Sequence, residues 1–135
     1  MTIERRLCFV YAAILLAVAA INYIPGLTDE SGLAFGIFAL DPFDDALHLA
    51  SAIWALIAGA MSQPAARLFL LLFGAAYLAD GIFGIFTGWG FLDFAIFTNP
   101  SLGPSLSLLR IAANLPHIAL GGIALAAGIV SVRKA

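Results

Sequence analysis

The sequence predicts an all-α integral membrane protein: a four-helix bundle of two parallel helix-pair repeats with both termini on the inner side. Three observations predict it. Of 135 residues, 63% are hydrophobic and only 10% charged, and a water-soluble chain this short cannot bury that much apolar side chain. Four apolar runs come close to the roughly 20 residues a helix needs to cross the hydrocarbon. The third observation is charge placement: Arg5, Arg6, Arg67, Arg133 and Lys134 fall on one side of four spans, and Arg110 stands alone on the other. That bias orients the chain N-in and C-in.

The first span is expected over about residues 7–24, from Leu7 to Ile24, ending at the Pro25-Gly26 turn pair. Arg5-Arg6 and the small residues Ala17-Val18-Ala19 also fit a secretory signal peptide. The apolar run is longer than the usual signal core of about 7–15 residues, so a retained span is the expectation. The second span, 44–61, follows Asp41-Pro42, an N-cap residue with Pro at the first helical position. The third, 68–86, starts after Arg67 and fades into Gly84, Gly88 and Gly90, and the fourth, 108–132, ends at Arg133-Lys134. Strands fit poorly, because barrel segments are short and alternate in polarity.

The chain also repeats itself, over about 1–64 and 65–132. Phe35-Gly-Ile-Phe38-Ala-Leu-Asp41-Pro42 is echoed by Phe94-Ala-Ile-Phe97-Thr-Asn99-Pro100. Downstream of each copy a histidine heads a stripe of small residues: His48, Ala52, Ala55, Gly59, then His117, Gly121, Ala124, Gly128. These offsets share one helix face, and small faces let helices approach closely in lipid. The second copy carries roughly ten extra residues, Ser101 to Ile111. Matching inward faces are expected on the third span (Ala76, Asp80, Gly84) and the first (Ala13, Ala17, Ala20). Phe35, Phe38, Phe91, Phe94, Phe97 and Trp89 suit segments lying at the outer interface.

Asp80 is the one carboxylate well inside an apolar run, and with His48 and His117 it is expected in the outer half of the bundle. Asp44, Asp45 and Asn114 stand one turn from the histidines. Ionisable residues at such depth are functional candidates, and four readings compete. Asp80 clasps a histidine or Arg110 and fixes the helix arrangement. His48 and His117 ligate a metal, haem, pigment or quinone, with Asp80 orienting one imidazole or ligating directly. The cluster carries protons or ions. A lipid or small apolar ligand sits between the helices.

Cys8, the single cysteine, excludes an internal disulfide or thiolate cluster and reads as a packed thiol rather than a palmitoylation site. Six basic against eight acidic residues leave no basic patch for nucleic acid. Asp44-Asp45 reads as a helix-start cap. The chain lacks a nucleophile elbow, a phosphate loop and His-Glu-x-x-His. The function expected is a non-enzymatic accessory module that self-associates or joins a larger membrane complex, its constant partner the lipid bilayer. The alternative is a redox or sensor protein that holds a cofactor on His48 and His117.

Asp41-Pro-Phe-Asp44-Asp45-Ala-Leu-His48, with the Ala/Gly-rich span after it and Gln63-Pro-Ala-Ala-Arg67, resembles a family of small four-helix bacterial membrane proteins known as a domain of unknown function. Its pattern is Asn/Asp-Pro-x-Asp-Asn/Asp-x-x-His, a Gly-rich helix, a short arginine-bearing loop and a helix ending near a tyrosine. Arg67 and Gly74-Ala-Ala-Tyr77 fit that continuation, over about residues 32 to 130. Asn114-Leu-Pro-His117 keeps the polar-x-x-His spacing without the Asp pair. The resemblance implies the bacterial inner membrane and the four-helix architecture, and brings no activity with it.

Overall fold

The computed structural model describes residues 1–132. Among these the chain is helical with no strands, 72% helix overall. Its helices are α1 (Ile3–Ala20), extended by a 3-10 turn (Ile21–Tyr23), α2 (Pro42–Met61), α3 (Gln63–Thr87), the single turn α4 (Ala95–Thr98) and α5 (Leu108–Val132). Four of them, α1 with its extension, α2, α3 and α5, are long and apolar enough to cross a membrane. Arg133 and Lys134, counted above in the charge bias, lie outside the described residues. The chain divides into two compact units, Met1–Phe69 and a second beginning at Leu70.

In the first unit α1 packs along α2. Asp41 caps α2 as expected: its carboxylate accepts from Phe43 N and Asp44 N, the Asp44 carboxylate in turn accepts from Asp41 N, and Pro42 opens the helix. That reciprocal box satisfies amide groups a helix start leaves orphaned. At the far end of α2, Arg5 Nε donates to Gly59 O at 2.7 Å and Nη2 to Ala60 O at 2.9 Å. A cation on the last carbonyls also complements the helix dipole. Gly59 allows the approach, since a Cβ there would lie 3.0 Å from Cys8 Cβ and 3.2 Å from Arg5 O.

The expected inward face of α1 is wrong. Ala13, Ala17 and Ala20 are exposed, and the buried face is Glu4, Cys8, Tyr11, Ala12 and Leu15. The cause is complementarity of size. The small residues Ala52, Ala55 and Gly59 of α2, buried as expected, together with Ala58 leave room that large side chains fill. Tyr11 and Trp54 both meet Phe69 edge-on, with centroids 6.4 and 5.0 Å away. Cys8 is fully buried and its Sγ donates to Ala66 O at 3.6 Å, the packed thiol expected.

Arg67 was expected in a loop and lies inside α3, which starts at Gln63, immediately after the linking residue Ser62. Pro64 permits this because the first helical turn needs no amide donor there. In the second unit α3 and α5 meet glycine to backbone. A methyl at Gly74 would run into the backbone of Leu125, one at Gly81 into Ile118, one at Gly121 into Leu78 and one at Gly128 into Leu71. The inward face of α3 is therefore Phe73, Gly74, Tyr77, Asp80, Gly81 and Gly84, and the expected Ala76 is only half-buried.

Candidate functional site

The site grows from the end of α3. A helix leaves its last carbonyls without partners, and here the returning chain supplies them. Leu102 N donates to Thr87 O at 2.8 Å, Ser105 N to Ile85 O at 3.2 Å, and Arg110 Nη1 bridges Ile85 O and Gly103 O at 3.2 and 3.0 Å. Trp89 Nε1 closes the loop onto Pro100 O at 2.9 Å. Ser101 to Ser107, most of the extra residues of the second copy, form this cover, and α5 begins at Leu108.

Folding back this way brings the backbone at residues 90–92 onto Asp80. Counting seven residues back from Thr87, Asp80 stands about 10 Å inside its helix. It is 3% exposed. Its Oδ1 accepts from Phe91 N at 2.7 Å and Leu92 N at 2.9 Å, and its Oδ2 lies 2.6 Å from His117 Nδ1. Gly90 makes room, because a Cβ there would sit 2.8 Å from Oδ2. An ionised carboxylate only accepts, so His117 Nδ1 is the donor of this bond. Tyr77 tilts against the ring at 4.8 Å and itself stacks on Phe73 at 4.0 Å.

Two of the three candidate residues, Asp80 and His117, thus meet. His48 lies in the first unit, buried at 4% in the second turn of α2. Of the two partners expected for Asp80, histidine or Arg110, the structure uses the histidine, and Arg110 caps α3 and the loop instead. Asn114 Nδ2 donates to Arg110 O at 2.9 Å, Asp44 belongs to the cap of α2, and Asp45 Oδ1 and Oδ2 each lie 3.4 Å from Asn22 Nδ2. Among the described residues no group of three or more His, Cys, Asp or Glu side chains is placed to hold a metal ion.

Sequence reasoning passed over Asn22. Its Nδ2 donates to Leu40 O at 2.9 Å, tying the end of the α1 segment to the chain entering α2. Asn22 precedes Phe35 by 13 residues and Asp80 precedes Phe94 by 14, so a polar residue at a similar distance before each Phe-x-Ile-Phe segment binds the backbone of the chain that follows it. That offset from the Phe-x-Ile-Phe segments was the signal available. No family model, no curated protein and no solved structure matches this chain.

Proposed function

We propose that this chain is a non-enzymatic module of a bacterial inner membrane, with both termini cytoplasmic, that self-associates or joins a larger membrane complex. The observation that carries the reading is the saturation of Asp80. Both oxygens of the one carboxylate deep in an apolar helix are taken by the chain's own donors. A carboxylate spent on two loop amides and an imidazole is a clasp, and such contacts hold helices together in lipid. In the span windows of α1 and α5 only 22% and 17% of residues are buried, which leaves long apolar faces for lipid or a neighbouring chain. Two parallel helix-pair repeats, at about 1–64 and 65–132, are supported by the twin loop anchors Asn22 and Asp80. Membership of the four-helix family that Asp41 to His48 resembles fits the same reading. Purification in mild detergent tests it: a discrete oligomer or a co-purifying partner is expected, and a lone monomer overturns it.

A second reading keeps one specific observation. Carboxylate-to-Nδ1 bonding is how a ligating imidazole is oriented, so His117, with Asp80 behind it, would supply one ligand to a haem, metal, pigment or quinone. The visible spectrum and metal content of the purified protein decide this. Colour or metal lost in His117→Ala supports it, and a folded, colourless, metal-free sample removes it.

A further inference from the structure

Left-handed backbone is the province of glycine, with Asn and Asp as occasional visitors. Apart from glycines, two described residues adopt it, and both are phenylalanines: Phe35 at φ 53° and Phe94 at φ 64°. They are the first residues of the two Phe-x-Ile-Phe copies. Each sits beside a buried alanine, Ala34 at 0% and Ala95 at 8%, and each leaves its residue 56% exposed. The left-handed step thus tucks an alanine inward and holds an aromatic ring out. In water this arrangement is doubly unfavourable, and glycine or asparagine would relieve both the strain and the exposure.

The surroundings continue the apolar surface. In the second unit Phe97 (77%), Leu102 (63%) and Leu106 (78%) run on to Leu108 (85%) at the start of α5. From Phe94 to Leu109 there is no charged residue, and the guanidinium of Arg110 is turned onto carbonyls. In the first unit Tyr23 and Phe43, 75% and 56% exposed, flank the loop where the spans end and begin.

We propose that Phe35 and Phe94 are paired membrane anchors, one at the loop end of each helix pair, seated with their apolar neighbours in the headgroup–acyl boundary of the outer leaflet. Aromatic rings favour that depth. Continuity with helices long enough to span selects lipid over a protein partner. The choice of leaflet rests on the N-in topology proposed above.

The test places a nitroxide at Phe35→Cys or Phe94→Cys, in a Cys8→Ser background, with the full chain in phosphatidylcholine–phosphatidylglycerol vesicles. Collision rates with oxygen and with a water-soluble nickel chelate then report depth. Oxygen is expected to dominate at 35 and 94, and the nickel chelate at the exposed control Ser31→Cys. Phe97→Cys, on ordinary helical backbone, repeats the measurement without disturbing a left-handed residue. Nickel-dominated collisions at 35, 94 and 97 overturn the proposal, and so does shielding from both agents, which would mean protein cover. Sidedness is read separately, by an impermeant thiol reagent at Ser31→Cys. Labelling from the cytoplasmic face alone would overturn the leaflet assignment and the topology while the depths still stand.

Discussion

Asp80 decides the local structure because it does three jobs with two oxygens. Asp80→Ala removes the acceptor for Phe91 N and Leu92 N, and an unsatisfied buried donor costs about 1–3 kcal/mol. The variant is therefore expected to lose about 2–3 kcal/mol in detergent unfolding. Asp80→Asn keeps an oxygen for the two amides and disturbs only the His117 bond, so its loss should be about 1 kcal/mol, near the measured average for intramembrane polar contacts. Equal losses in the two variants would mean that the loop amides find other partners and that the clasp is no clasp. Gly90→Ala reaches the same carboxylate from the loop: its methyl would press on Oδ2, and its thermal midpoint should fall although the change is conservative in polarity. The importance of Asp80 was legible in the sequence, since a carboxylate in an apolar run stands out. Its principal partners were not. They are backbone amides about a dozen residues downstream, which carry no side-chain signal, and the glycine that admits them looks like any other glycine.

At the scale of helices, legibility followed locality. The start of α2 was readable because Asp41, Pro42 and Asp44 are adjacent and each has one physical reason to be there. The buried stripes of α2 and α5 were readable because histidine, alanine and glycine recur at helical spacing. The face of α1 was not. That helix is apolar nearly all round, so its own periodicity does not choose between Ala13 and Tyr11; the small face of α2 makes the choice by accepting bulk. The α3–α5 contact shows the same rule with the roles reversed, glycines on each helix receiving the backbone of the other. Neighbouring glycines of α5 give a direct test. Gly121→Ala drives a methyl into Leu78 and should lower the thermal midpoint markedly. Gly122 has nothing within 4 Å of its Cβ position, so Gly122→Ala should be neutral or stabilising by up to about 1 kcal/mol, the helix-propensity difference. If both variants lose stability alike, glycine conserves something other than close approach.

For the whole molecule the proposed topology rests on the uneven placement of basic residues among the loops. In the first unit, Arg5 lies against the Gly59 and Ala60 carbonyls, so the start of α1 and the end of α2 share one end of that helix pair, close in sequence to Arg67. The loop at the other end carries Asp29 and Glu30. In the second unit Arg110, in the first turn of α5, spends its donors on Ile85 O and Gly103 O, so a structural requirement accounts for this exception to the bias. Basic loops are retained in the cytoplasm, and each helix pair should then present its long loop outside. Single cysteines in a Cys8→Ser background make this measurable, because the native thiol is fully buried. In intact cells an impermeant maleimide should label Ser31→Cys and Ser101→Cys. Met61→Cys, at the end of α2 and 69% exposed, should react only after permeabilisation. Labelling of 61 together with 31 in intact cells would mean mixed insertion. Labelling of 61 alone would invert the topology and carry the outer-leaflet assignment of Phe35 and Phe94 with it, while the Asp80–His117 clasp, which depends on no sidedness, would stand.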